Sequence, residues 1–302
     1  MNLLEFSQKF ATVEACLKHL EKVRWRDSEF CPHCGSTEKI YHYSDGRRHK
    51  CSVCKHVFRI ITGTMFGDSP IKLLPKWFLA VYFETTHSKG ISSRMLAKHI
   101  GVKQQTAWFM LHRIRNATTA HEKPMLHSII EIDEKYIGGK ERNKHASKRT
   151  EGSQGGSGKT IAFGMKQREG ETRAFKVDSA KGRDLMPKLI DNVAIGSKVN
   201  ADDATAYSIL NGFYDVDTVQ HSKGEYVRDA THTNSIESVW AMVQRVYEGT
   251  HHWWSEKHTQ RYLDTICNRL NTKDMNQSEA IDNLLEGGLT HESRLTYAEL
   301  VR

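Results

Sequence analysis

The sequence contains no stretch of eighteen apolar residues, the minimum from which a bilayer-spanning helix is read. Its first residues, Met-Asn-Leu-Leu-Glu-Phe-Ser-Gln-Lys-Phe, also lack the basic-then-apolar order of a secretory signal. Both absences argue against a membrane or exported protein, so a cytoplasmic location is expected. Cysteine is sparse and uneven: six in 302 residues, four of them in the first fifth, with Cys16 and Cys267 standing alone. In a cytosolic chain such cysteines do not form stable disulfides. An NTP-binding loop is missing too. Gly158-Lys159-Thr160 has the ending of one, but Ser153 occupies the place of the required first glycine, and Ile161-Ala-Phe-Gly-Met-Lys166 reads as a strand rather than a helix.

Acidic residues are in deficit, 36 against 44 Lys and Arg, for a net charge of +8. An excess of that sign predicts an anionic partner, nucleic acid or an anionic membrane surface, and the lack of an apolar run or signal segment weighs against the second. The length suffices for two or three domains with separate cores.

Four cysteines form two pairs, Cys31-Pro-His-Cys34 and Cys51-Ser-Val-Cys54, with 16 residues between them. Two Cys-x2-Cys pairs at this spacing bring four thiolates into a tetrahedron around Zn²⁺, and with all four ligands supplied the zinc is structural. Between them the chain alternates aromatic and polar residues about Asp45-Gly46, as a hairpin does. The expectation is a zinc ribbon. Cys16 and Cys267 are expected to be buried as small apolar residues.

Beyond the ribbon, residues from Pro70 onward read as a buried helix. Next, Gly90 to Arg115 reads as a helix-turn-helix, with Ser92 as N-cap, Gly101 at the turn and Gln104 opening the second helix. That helix presents Lys103, Gln104, Gln105 and Thr106 at its N-terminal end for DNA, while Ala107, Trp108, Leu111 and Ile114 pack. The alternative is an ordinary helical hairpin with a solvated face.

Three acids stand far apart in the remainder: Asp133 in Glu131-Ile-Asp-Glu-Lys-Tyr-Ile-Gly-Gly139, Asp202 in Val199-Asn-Ala-Asp-Asp-Ala-Thr-Ala-Tyr207, and Glu237 in His232-Thr-Asn-Ser-Ile-Glu-Ser-Val-Trp240. A strand from Leu126 delivers Asp133 near its end. A charged Gly/Ser-rich loop spans 140 to 160. Antiparallel strands follow at 160–167 and 172–178, then a helix at 182–192, a strand at 198–202 ending on Asp202, and a helix at 234–247 carrying Glu237 in its first turns. That order is the order of an RNase H-like core. Hard oxygen ligands suit Mg²⁺, and a metal pair drives phosphodiester chemistry. Glu131, Glu134 and Asp203 read as surface acids, the histidines His232, His251 and His252 as non-ligands, and Trp253 and Trp254 as core.

These segments, together with Gly249 to Asp264, Asn268-Arg269 and Ser293 to Leu300, resemble DDE-type insertion-sequence transposases that carry an N-terminal zinc ribbon. The resemblance spans almost the whole chain. It implies Asp133 and Asp202 as the first two metal ligands and Glu237, 35 positions after Asp202, as the third. Some members of this branch carry Asn at the last position, and Asn234 lies one helical turn before Glu237, placed to contact DNA or a bound water. Where the family often has Lys seven residues after the third acid this chain has Gln244, so Arg245 supplies the cation. The resemblance further implies two Mg²⁺ or Mn²⁺ ions, double-stranded DNA partners (element terminal repeats and target DNA), a homo-oligomer on that DNA and a nucleoid-associated location.

The expected fold is therefore α/β: a zinc ribbon with an N-terminal helix at 1–60, a helix-turn-helix region at 61–122, and an RNase H-like catalytic domain with a helical C-terminus at 123–302. The expected activity is metal-dependent nicking of element ends and strand transfer. The alternatives are a domesticated DNA-binding regulator that no longer cuts, and a structure-selective nuclease of the same fold.

Overall fold

Short polar residues start the first helices. Asn2 caps α1 (Leu3–Lys9) in a reciprocal box with Glu5, and Thr12 caps α2 (Val13–Arg24). The computed structural model describes residues 1–119, 123–139, 158–202, 212–219 and 232–302, which fall into two units: Met1–His121 with Asp274–Arg302, and Glu122–Lys273.

In the first unit a three-stranded antiparallel sheet follows α2: β1 (Ile40–His42), β2 (His49–Cys51) and β3 (Val57–Phe58). The Asp45-Gly46 turn sits between β1 and β2, with Gly46 at φ 62°. The Asp45 carboxylate accepts the N–H groups of Arg47 and Arg48 at 2.9 and 3.1 Å, and these bonds with the Arg48 guanidinium hold its pKa down at about 2. Next come α3 (Leu74–Thr86), entered through a 3-10 turn at Ile71–Leu73, then α4 (Ser93–Ile100) and α5 (Gln104–Ala117). Ser92 Oγ accepts the Met95 N–H, and Gly101 ends α4 at φ 62°, a left-handed conformation that glycine adopts without steric cost. α4 and α5 are joined through the Gly101 turn, with Leu96, Ala97, Ile100, Ala107, Leu111 and Ile114 buried in the shared core, as in either a helix-turn-helix or an ordinary helical hairpin.

The second unit is built on a sheet of order β6-β5-β4-β7-β8: β4 (Ile129–Ile137), β5 (Thr160–Gln167), β6 (Thr172–Val177), β7 (Lys198–Asp202) and β8 (Asp215–Val219). β4, β5 and β6 are antiparallel neighbours, while β7 runs parallel to β4 and β8 parallel to β7. An antiparallel meander followed by two strands parallel to its first is the RNase H-like arrangement. Alternation divides the sheet's side chains. Ile130, Ile132, Phe163, Met165, Val199 and Ala201 face α6 (Gly182–Ile190), whose Leu185 and Leu189 join that core. Ile137, Ala162 and Ala174 face the other way, under α7 (Asn234–Val246) and α8 (Thr259–Asn271). Gly158-Lys159-Thr160 leads into β5, so the rejected NTP loop has no helix to open. The charged loop lies outside the described residues from 140 to 157, as does Asp203.

Several expectations change. Asp133 is in the middle of β4 rather than near its end, because pairing with β5 continues to Ile137 opposite Thr160. The segment after Lys273, expected to extend the catalytic domain, packs with the N-terminal unit instead. It forms α9 (Gln277–Gly288) and α10 (Tyr297–Val301), and Ile281, Leu284, Leu285 and Leu289 share one apolar core with Leu17, Trp77 and Leu111. Cys16 and Cys267 are buried free thiols as expected, and burial pushes both up to about 12. Trp254 stacks on Tyr262 at 4.4 Å in the core, but Trp253 is 68% exposed. Among the described residues no helix is long and apolar enough to cross a membrane.

Candidate metal centre

The four ribbon cysteines converge: Cys31 Sγ lies 3.6 Å from Cys54 Sγ and Cys34 Sγ 3.8 Å from Cys51 Sγ, with all four sulfurs within 4.8 Å of one another. Tetrahedral Zn–S bonds of about 2.3 Å place sulfurs about 3.8 Å apart, so the donor set fits zinc. All four are free thiols rather than disulfides. The N–H groups of Cys54 and Val53 point at Cys51 and help to hold its pKa at about 7, while at Cys54 the His56 N–H is outweighed by desolvation and the three neighbouring sulfurs, which push that thiol up to about 12.

The acids are brought to one face by strand register. Ile132 pairs with Ala201 in the parallel β4–β7 ladder, so the next residues, Asp133 and Asp202, stand level on neighbouring strands. Both sit on the face covered by α7, whose first turn carries Glu237. Asp133 Oδ1 accepts the Glu134 N–H at 2.8 Å and Oδ2 accepts Trp240 Nε1 at 2.9 Å. Burial, reinforced by the charges of Asp202 and Glu237, pushes the Asp133 carboxyl up to about 6. Mutual repulsion among acids is what a bound cation relieves, and carboxylate oxygens are the donors Mg²⁺ takes. Among the described residues only the cysteines reach mutual ligand spacing within 4.8 Å, so the acids stand wider. Divalent cations would be held by these carboxylates without each ion needing all three of them.

The other expected site residues lie elsewhere. Asn234 opens α7 and is exposed, one turn before Glu237. Arg245 is also exposed, eight residues beyond Glu237 and hence about 12 Å along the helix axis, so the structure does not bring it to the acids. Lys103, Gln104 and Gln105 are exposed at the start of α5 and Thr106 is half-buried. Gln104 Nε2 donates to Ser93 Oγ at 2.8 Å, tying the two helices together.

Sequence reasoning missed two residues. Glu131, read as a surface acid, is fully buried beneath the start of α7. Trp240, given no role in the sequence reading, packs in the core under α7 and donates to Asp133. The available signal was spacing: Glu131 and Asp133 are two apart on a strand and therefore share a face.

Gly164 makes the Trp240 contact possible. It pairs with Asp133 across the β4–β5 ladder, and a Cβ there would lie 2.5 Å from Trp240 Cζ2 and 2.8 Å from Ile236 Cδ1. Gly164→Ala must therefore push the indole away from Asp133. Overpacking of this kind costs about 1–3 kcal/mol; the variant is expected to melt earlier in a thermal scan, and a Tm equal to wild type would contradict this packing.

Comparison with known proteins finds two domain families along the chain. Residues 125–271 match the ISXO2-like transposase domain, and residues 12–57 match the transposase zinc-ribbon domain. An uncharacterized protein in transposable element ISH50 of Halobacterium salinarum is 29% identical over 284 residues, spanning 89% of this chain and 95% of the relative. Among solved structures, the Mos1 strand transfer complex aligns over 65% of this chain and 70% of that one at 14% identity and a TM-score of 0.29. A pre-cleavage Mos1 transpososome aligns over 69% and 76% at 12% identity and a TM-score of 0.20. Likenesses that weak add nothing to the fold, which rests on the sheet order. With the ribbon and the catalytic-type domain both matched in the expected order, the chain belongs to the DDE-type insertion-sequence transposases with an N-terminal zinc ribbon.

Proposed function

We propose that the protein binds the terminal repeats of an insertion sequence, nicks the DNA to expose a 3′-hydroxyl, and transfers that end into target DNA as a homo-oligomer. The observation that carries the reading is the level placement of Asp133 and Asp202 under the helix of Glu237 in a transposase domain. Divalent cations held there, two Mg²⁺ or Mn²⁺, supply charge stabilisation for the attacking and leaving oxygens.

The chain's residues do the rest. Asp133, Asp202 and Glu237 provide the oxygen ligands, and Trp240 fixes the Asp133 carboxyl through its Nε1–H. Asn234, exposed beside Glu237, is placed to contact DNA or a water. The start of α5, with Lys103, Gln104, Gln105 and Thr106, supplies groove and phosphate contacts. Arg245 and the net positive charge add affinity for phosphates. One site serves nicking and joining, and no covalent protein–DNA intermediate is needed.

The test is strand transfer in vitro with Mg²⁺ and the element's terminal DNA. Joined products support the transposase reading. Binding without cutting supports a domesticated regulator, and cutting without joining supports a nuclease.

A further inference from the structure

The helix that carries Glu237 has no cap of its own. Its N-cap residue, Thr233, accepts none of the first-turn N–H groups, its hydroxyl donating instead to Glu237 Oε1 at 3.4 Å, although those N–H groups have no intrahelical acceptor. Those groups are satisfied from another part of the chain. Glu131, on the central strand β4, accepts the Ser235 N–H at 2.8 Å and the Ile236 N–H at 3.1 Å through Oε2, and the Ser235 hydroxyl at 3.1 Å through Oε1. Arg168, from the turn between β5 and β6, donates its Nε–H to Oε1 at 3.3 Å, and His232 Nδ1 lies at the same distance. The acidic group at the positive end of the helix dipole adds to the attachment.

A second tether acts one step earlier. Asn200, buried on β7 opposite Glu131, reaches the His232 carbonyl with Nδ2 at 3.4 Å, and Arg168 Nη2 reaches it at 3.5 Å. Three places in the sheet thus hold the entry to α7. Glu237 follows the tethered Ile236 directly, and each helical residue is rotated by about 100° from the last. A small turn or slide of the first helical turn would swing Glu237 away from Asp133.

We propose that Glu131 is a positioning residue for the metal centre: by capping α7 from the strand that bears Asp133, it sets the rotation and height of Glu237 relative to Asp133 and Asp202. It does not itself ligate, since its oxygens are taken up by α7, Arg168 and His232. The inference rests on the metal-centre reading above and deepens it, because one strand carries both a ligand and the group that aims the third ligand.

The test is Mn²⁺ binding to the full chain, followed by electron paramagnetic resonance of the free ion. Five proteins are compared: wild type, Asp133→Asn, Glu131→Gln, Arg168→Gln, and Leu185→Ala. The last loosens the α6 core on the opposite face of the same sheet and serves as a stability control. Glu131→Gln keeps the volume but puts an amide against N–H donors. Groups that orient metal ligands typically change affinity by about 10–100-fold when removed, so a rise of at least about tenfold in the Mn²⁺ dissociation constant is expected. Arg168→Gln is expected to move the same way by less, and it decides the matter if Glu131→Gln does not fold. Leu185→Ala is expected to lower Tm with unchanged Mn²⁺ affinity. Wild-type affinity in both Glu131→Gln and Arg168→Gln would overturn the proposal. So would a loss of affinity that merely tracks Tm across all variants including Leu185→Ala. If wild type fails to bind Mn²⁺, or Asp133→Asn binds as tightly, the metal-centre reading itself falls and the Glu131 proposal falls with it. That failure shows in arms where Glu131 is intact.

Discussion

Asp133→Asn and Asp202→Ala are each expected to lower DNA strand cleavage by about three orders of magnitude or more while leaving binding to the element ends unchanged. The size follows from chemistry in which bound cations supply several kcal/mol of charge stabilisation, each 1.4 kcal/mol being about tenfold in rate. Binding survives because the residues assigned to groove contact are at the start of α5, in the other unit. Gel-shift and cleavage assays on the same preparations check both halves. Glu237→Gln is expected to act in the same direction, since an amide oxygen remains a ligand but the charge is gone.

A pH dependence follows from the same carboxyl. Asp133 is pushed up to about 6 by burial, with further contributions from Asp202 and Glu237, so a cation must displace a proton from it below that pH. Metal affinity is expected to rise as pH climbs through about 6 and to level off above, as a Mn²⁺ titration at several pH values checks. Without metal the sign for stability is opposite. A carboxyl raised on folding contributes fully below its unfolded value near 3.8, and that contribution is lost as pH rises through about 6.

The second large effect concerns zinc. The apolar core of the ribbon consists of Cys31, Ile40, Cys51 and Phe58, with Trp25 and Cys54 packed against it. Half of the four buried residues are ligands, so little remains to hold the strands once the metal is gone. Structural zinc contributes about 10–16 kcal/mol of apparent binding energy in small domains. Chelation, or Cys31→Ser, is expected to unfold residues from about Phe30 to Phe58 while the helices on the larger core persist. Limited proteolysis reads this as new cleavage confined to the ribbon. A ribbon equally resistant with and without zinc would contradict the assignment.

Local chemistry made much of this legible. Cysteine spacing, the Asp45-Gly46 turn and the Ser92 and Gly101 caps are fixed by residues a few positions apart, and each lies where the sequence places it. The succession of β5, β6 and β7 was readable because alternation and turn residues mark them, whereas the edge strand β8 was not placed from the sequence. Long-range packing was not readable. The helical character of the C-terminus could be seen, but not that Ile281 and Leu285 bury against α2, α3 and α5. Trp253 and Trp254 look alike in sequence, and only Tyr247 and Tyr262 decide which one is enclosed. Spacing puts Glu131 on the face of Asp133, but its burial could not be read, because its donors lie 37 to 105 positions away.

The most direct test of the central claim is anomalous diffraction from crystals soaked in Mn²⁺ and measured at the manganese edge. Peaks on the α7 face of the sheet, ligated by Asp133 and Asp202 and flanked by Glu237, are the expected result. Full manganese occupancy elsewhere in the unit, with none against Asp133 or Asp202, would contradict it.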